Sequence, residues 1–326
     1  MTRAQGTILV VGGAGYIGSH MVKLLLEKNY SVIILDNFST GHRRLVTGGR
    51  LIEGNLGNTD LLNNIFSTHR IDVVMHFAAF SLVGESVQVP LKYYRNNVSE
   101  TISLLDTMIG HGIKRFIFSS TAAVYGEPEK IPIAEDHPLN PTNPYGNTKL
   151  TVERMLAHCD TAHGLKSISL RYFNAAGAHP SGTIGEMHNP ESHLIPLVLQ
   201  AALSETPVKI FGSSYPTKDG TCIRDYIHVC DLAQAHLLAL LALLEGSETQ
   251  VFNLGNSVGF SVRQVIELAR KVTGRAIEAI EHERRPGDPA ILVADSGKAR
   301  RILGWSPAYE NLETIIESAW RWHLPN

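Results

Sequence analysis

The chain has 326 residues and a formal net charge of -2, with 44% hydrophobic and 18% charged residues. That balance excludes a disordered chain and a strongly basic nucleic-acid binder, and the length allows a sizeable core and two domains. Only three cysteines occur, Cys159, Cys222 and Cys230; the odd count and the lack of a CxxC pair argue against a disulfide framework or zinc knuckle and for a reducing cytoplasm.

In chain order, TILVV runs straight into glycines. Its apolar stretch is too short for a signal peptide and no cleavage site follows, so it is expected to be the first strand. A helical pattern covers 16–28, then SVIIL is followed by a helix near 61–69 and DVVMHF by a helix over 90–110. KRFIFSS precedes a helix over 144–163, and SISLRY closes the series. Short β-branched runs alternating with longer helical patterns predict βαβ units, hence a Rossmann-like, doubly wound parallel sheet covered on both faces.

After Asn174 the texture changes to glycine- and proline-rich loops with shorter helices. The expected division is a dinucleotide-binding domain over 1–174 and a smaller C-terminal α/β substrate domain over 175–326, with some segments returning to the first. LAQAHLLALLALLEG is too short to span a bilayer and is expected as a buried helix. Ser261 with Gln264 forms a capping-box pattern for a helix that Gly274 would end. The 15 histidines are scattered, none in HxxxH or HExxH, so no metal is expected.

The segment GGAGYIG places Gly12, Gly15 and Gly18 where G-x-x-G-x-x-G needs them, with Gly13 completing G-x-G-x-x-G. Glycine permits the tight turn and lets a pyrophosphate approach bare backbone, where the helix N–H groups and dipole hold the anion. A glycine run by itself is weak evidence. Here a strand precedes it, a helix follows, and Asp36 ends the next strand at the distance of a ribose-binding acid. Asp36 would accept hydrogen bonds from the adenine ribose and repel a 2'-phosphate, which favours NAD over NADP; Arg43 and Arg44 are the nearby cations that could argue otherwise.

NPYGNTK puts Tyr145 and Lys149 one turn apart on one helix face. A tyrosine titrates near 10, so a neutral-pH base needs a shift of about 3 units, or about 4 kcal/mol. A cation roughly 6 Å away at an effective dielectric of about 20 supplies about 3 kcal/mol, so Lys149 alone falls short and the positive ring of oxidised NAD would have to supply the rest.

These glycines, the Tyr145 and Lys149 pair and the hydroxyl run Ser119 to Thr121 resemble the extended short-chain dehydrogenase/reductases. VGESVQVPLKYYRNNV, SSTAAVYGE, RYFNAAGAHPSGTIGE and DGTCIRDYIHV extend the likeness over nearly the whole chain to the UDP-glucose 4-epimerase family. The resemblance implies that Tyr145 takes the proton from sugar O4, that Lys149 holds its pKa down and binds the nicotinamide ribose, and that Thr121 shares the proton. It implies a cofactor site of Gly12, Gly15, Tyr16, Ile17, Gly18, Asp36, Asn37, Asn55, Leu56, Phe77, Ala78, Ala79, Asn97, Tyr145, Lys149 and Tyr172. It also implies a substrate site in which Asn174 and Arg224 hold the diphosphate, Phe211 lies beside uracil, Arg285 adds a phosphate contact and Asp288 binds the uridine ribose, joined by His193 and Leu194. Leu292 falls where the family limits hexose size, and Asn97 matches the residue that positions the hydroxyl run.

The implied reaction interconverts UDP-glucose and UDP-galactose through a 4-keto sugar, in a cytoplasmic homodimer, without nucleic acid or membrane. Thr121 stands where the family more often has serine, Asn55 where it commonly has aspartate, and Ser81 where many relatives have lysine; the last two would loosen the hold on NAD. Three rivals differ in what they require. A 4,6-dehydratase needs acidic residues after the hydroxyl run, where Ala122 and Ala123 stand, and a non-catalytic NAD-binding regulator should have lost Tyr145, Lys149 or Thr121. An epimerase for a UDP-N-acetylhexosamine or a UDP-pentose stays open.

Overall fold

The computed structural model describes residues 5–204, 206–285 and 288–324, so the first four residues of the N-terminal stretch lie outside it. The strands are β1 (Thr7–Val11), β2 (Ser31–Asp36), β3 (Arg50–Glu53), β4 (Val73–His76), β5 (Arg115–Thr121), β6 (Lys166–Tyr172), β7 (Asn174–Ala176), β8 (Val208–Phe211), β9 (Ile223–His228), β10 (Gln250–Leu254), β11 (Gly259–Ser261), β12 (Ala279–His282) and β13 (Ile291–Leu292). The α-helices are α1 (Tyr16–Glu27), α2 (Thr59–Thr68), α3 (Val83–Gln88), α4 (Pro90–Tyr93), α5 (Glu100–Gly110), α6 (Pro144–His163), α7 (Leu194–Ser204), α8 (Val229–Leu244), α9 (Val262–Thr273), α10 (Gly297–Leu303) and α11 (Leu312–His323). Among the described residues no helix is long and apolar enough to cross a membrane.

Seven strands form one sheet in the order β10-β6-β5-β4-β1-β2-β3. Around β1 the pairing is parallel and in register, with Val10 opposite Ile34 of β2 and Met75 of β4. Strands buried on both faces read as unbroken apolar runs, and that is how β1, β2 and β4 are written. This is the doubly wound sheet expected from the alternation.

The chain divides into two compact units, one of residues 1–126, 139–171 and 233–252, the other of 127–138, 172–232 and 253–326. The break after 171 lies close to the expected boundary at 174, whereas 127–138 and 233–252 cross it in opposite directions. In the second unit β9 lies between β11 and β13 and also pairs with β7, and β8 pairs with β12. Its core packs α7, α9 and α11 through Val198, Leu199, Val265, Ile266, Ile315 and Ile316. The capping box forms as expected at α9, with Ser261 and Gln264 bonded reciprocally and Gly274 ending the helix at φ 66°.

The helix expected over 90–110 is helical throughout, but a π-helical turn from Tyr94 to Ser99 links α4 to α5 within it. The wide turn seats Asn97 in the interior, where its side chain bonds the Phe80 backbone N–H at 2.9 Å and carbonyl at 3.0 Å, and the Thr148 hydroxyl at 3.1 Å.

Helix α6 begins with Asn143 accepting from Gly146 N–H, has Pro144 in its first turn, and ends at Gly164 with φ 66°. A buried ion pair ties it to the sheet. Arg171 of β6 donates through Nε to Glu153 Oε1 at 2.9 Å and through Nη2 to Oε2 at 2.6 Å, and through Nη1 to the Tyr125 hydroxyl at 3.0 Å. The Ser120 hydroxyl of β5 also donates to Glu153. With side chains only 4% and 6% exposed, removing one charge strands the other. Glu153→Gln should therefore lower stability by about 3–5 kcal/mol, read as a lower urea midpoint; an unchanged midpoint refutes this.

Candidate active site

The phosphate loop links β1 to α1. Gly12 has φ +81°, and a Cβ on it would lie 2.5 Å from Ala78 N; a Cβ on Gly18 would lie 2.1 Å from the Gly12 carbonyl. Both positions therefore demand glycine. Gly15 caps α1 with no side-chain acceptor, leaving the first-turn N–H groups to an external anion. Tyr16 and Ile17 open the helix behind it.

One cleft in this unit is lined by Gly12, Gly15, Asp36, Asn37, Leu56, Phe77, Ala78 and Ala79, together with Thr40, Asn96 and Glu100, which the sequence reading missed. Thr40 lies in a loop, Asn96 in the π-helical turn and Glu100 at the start of α5, and the fold places them beside the cleft. Asp36 is buried, and its carboxylate accepts from Ala14 N–H at 2.9 Å and Phe38 N–H at 2.8 Å. The acid expected at a ribose thus also pins the phosphate loop to the turn after β2. Asn37 donates to the Asn55 side chain, so both stand at this corner. Arg43 pairs with Glu53 on the surface and lies over the Phe38 ring, which neutralises the nearer candidate for a 2'-phosphate. The glycine cradle, the cleft and the acid fit a dinucleotide.

Thr121 ends β5 and Tyr145 stands in the first turn of α6. The Thr121 hydroxyl hydrogen-bonds the Tyr145 phenol, and Thr121 Oγ1 accepts from Ala123 N–H at 3.2 Å. Lys149 is buried, donates to the Ser119 carbonyl at 2.7 Å and lies 4.8 Å from the Phe118 ring centre. All three expected catalytic side chains thus meet where β5 ends against α6. Their electrostatics differ from the charge arithmetic. Burial pushes the half-buried Tyr145 up to about 12, only partly offset by the Thr121 hydrogen bond. Burial also lowers Lys149 to about 7, with Glu153 opposing the fall. The arithmetic counted attraction and omitted desolvation, which here acts on both groups against charge. His76, at the end of β4, is held neutral by burial and then by Lys149, at about 3.

Asn97 reaches the loop after β4 and Thr148, whose hydroxyl donates to the Tyr145 carbonyl at 2.7 Å. It thus braces α6. Glu153, one turn beyond Lys149, is a further charged neighbour that motif reading missed; an acid at i+4 from a buried lysine was its only signal.

In the second unit Arg224 of β9 pairs with Asp288 and donates through Nη1 to the Ile223 carbonyl at 2.8 Å. Asp225 takes no part in that pair. It is fully buried and accepts from Asn256, Ser257 and Ala294 N–H groups, while burial raises it to about 7. Arg285 stacks on the Phe211 ring at 3.8 Å, and Asn174 donates to the Asp225 carbonyl at 2.9 Å. Leu292 lies opposite Arg224 in the β13–β9 pairing. Leu194 starts α7, His193 precedes it and bonds Glu186, and Tyr172 ends β6.

Residues 8–255 match the profile of the NAD dependent epimerase/dehydratase family. A UDP-glucose 4-epimerase from Halalkalibacterium halodurans is 57% identical over 317 residues, covering 97% of this chain and 95% of that protein. The crystal structure of UDP-glucose 4-epimerase from Brucella ovis in complex with NAD is 46% identical, with a TM-score of 0.94 and 97% of both chains covered. The enzyme of that name from Bifidobacterium longum, solved in complex with NAD+ and UDP, is 39% identical, with a TM-score of 0.92 over 97% of each chain. With a phosphate cradle, an acid after the second strand and a threonine–tyrosine–lysine group in the matched span, the chain belongs to the NAD dependent epimerase/dehydratase family.

Proposed function

We propose that the chain interconverts UDP-glucose and UDP-galactose by oxidising and re-reducing C4 of the hexose with NAD held in the cleft of the first unit. The observation that carries this is the meeting of Thr121, Tyr145 and Lys149 in the same unit as the Gly12 to Gly18 cradle. Bound NAD supplies the oxidising and then the reducing equivalents at C4, so net redox change is zero. Tyr145 takes the O4 proton and returns it, and the Thr121 hydroxyl steadies the phenolate by donating to it. Lys149, lodged on the Ser119 carbonyl, keeps its nitrogen beside the site at a pKa poised near neutrality. Since burial opposes charge on both groups, the base forms only when a further positive charge is docked beside them.

Uridine diphosphate binding is assigned to Asn174, Arg224, Phe211, Arg285 and Asp288, supported by two guanidinium groups that suit paired phosphate oxygens and an aromatic face for the base. A tightly held nucleotide leaves the keto sugar free to turn over. Ala122 and Ala123 after Thr121 supply no acid or base for eliminating water, which separates this reading from a dehydratase. The three free thiols suit a cytoplasmic setting. A homodimer is supported by apolar side chains presented by α3 to α5, where Val87 is 61%, Leu91 64% and Ile102 43% exposed.

UDP-galactose should be converted to UDP-glucose with no added reductant, and Tyr145→Phe should slow this by about 10²–10⁴-fold while NAD stays bound. Consumption of NADH in proportion to product, or a near-normal rate for Tyr145→Phe, defeats the assignment. The tyrosinate absorbance that wild type shows and Tyr145→Phe lacks should be absent at about pH 9 in cofactor-free protein and present once NAD is bound, because the phenol raised to about 12 must fall below its ordinary value of about 10. A signal already present without NAD contradicts it. Leu91→Asp with Ile102→Asp should halve the mass measured by light scattering; a wild-type monomer refutes the dimer.

A further inference from the structure

The loop between β7 and α7 gathers Glu186, His188, Glu191 and His193, and the catalytic reading gives the first three no task. Their spacing, E-x-H-x-x-E-x-H, is not one that a search for HxxxH or HExxH detects. One oxygen or nitrogen from each lies within 4.8 Å of all the others. Glu186 Oε1 is 3.0 Å from His188 Nδ1 and also bonds His193 Nδ1, while Glu191 Oε1 is 3.7 Å from the first imidazole and 3.9 Å from the second.

The site is built rather than casual. The two carboxylate side chains are 4% and 5% exposed, although acids of the surface kind normally stay in water. Trp322 Nε1 pins the Glu186 carbonyl at 2.8 Å, and the Ser192 and His193 N–H groups donate to Glu191 Oε1 at 2.7 and 2.9 Å. Against the cost of burial, the two carboxylates hold both imidazoles towards their protonated forms, so the cluster without metal balances its two negative charges with two protons. A single dication can take the place of both protons through the same four atoms, which are already gathered around one point.

We propose that these four residues form a divalent transition-metal site that takes Zn²⁺ through Glu186 Oε1, His188 Nδ1, Glu191 Oε1 and His193 Nδ1. Two imidazoles with two carboxylates suit Zn²⁺, whereas Mg²⁺ and Ca²⁺ prefer oxygen alone. Zinc ligands lie at about 2.0–2.2 Å in a tetrahedron, hence about 3.4 Å from one another, so a pair as wide as 4.8 Å must close by more than an ångström. His193, with a side chain 50% exposed, has room to turn and take up part of that closure. The ion would fasten the loop to the start of α7.

The test uses tag-free, NAD-loaded protein stripped with EDTA and titrated calorimetrically with zinc chloride. One equivalent should bind at micromolar affinity or tighter, and magnesium chloride should give no binding. His188→Gln and Glu191→Gln should each weaken zinc by roughly 100-fold; the second keeps the acceptor for the Ser192 and His193 N–H groups, and melting curves confirm folding. Cobalt in place of zinc should show d–d bands without a thiolate charge-transfer band. Absence of binding at submillimolar zinc, unchanged affinity in both variants, or a thiolate band overturns the proposal.

Discussion

The burial of Lys149 is the constraint on which the site turns. Its amino group reaches the Ser119 carbonyl at 2.7 Å across a Phe118 ring, with 3% of the residue exposed. A buried ammonium with only one carbonyl and a distant acid for company holds its proton weakly, and Tyr145 above it resists losing its own for the same reason. Two groups that each disfavour charge make a poor base by themselves. They make a responsive one, because any cation docked nearby acts through protein rather than through water. In the proposed function the site's chemistry is thereby tied to cofactor occupancy without a moving part.

That responsiveness requires α6 to stay in register with β5, and several independent bonds see to it. Glu153 accepts three hydrogen bonds from Arg171 and one from Ser120, the latter next to Thr121 in the chain. On the other side Asn97 fixes Thr148 to the loop after β4, using the wide turn between α4 and α5. A π-turn sacrifices regular helical bonds, and here the return is a buried amide that joins two elements bordering the site.

Much of the fold was legible because its signals are local. The β-branched runs and the helices between them followed from periodicity, and Gly12, Gly15, Gly18 and Asp36 gained meaning from the strand and helix around them. Tyr145 and Lys149 share a face of α6 by their spacing, but that spacing gained meaning only beside the glycine fingerprint and the hydroxyl run. What stayed hidden is set by distant pairing or by burial. Glu153 has its partner Arg171 on a strand, the crossings at 127–138 and 233–252 reflect long-range packing, and the sign of the Tyr145 shift depends on how much protein surrounds the phenol. Glu186 and Glu191 belong to no motif read from the sequence, and only the folded loop brings them together.

The second unit holds Arg224 and Arg285 in partnerships that, in the proposed function, a nucleotide takes over. Arg224 is committed to Asp288, and the Arg285 guanidinium to the face of Phe211. Had either arginine been left bare, its own repulsion and hydration would resist docking; had either been buried in a closed pair, a phosphate could not compete. The Arg224 and Asp288 side chains are 12% and 28% exposed, between those extremes. In the proposed function a diphosphate replaces Asp288 on Arg224, and the released carboxylate is then an acceptor for ribose hydroxyls. One ion pair is exchanged for another plus new hydrogen bonds, so the anchoring energy goes to the nucleotide and little is spent on the hexose, whose ring must turn over.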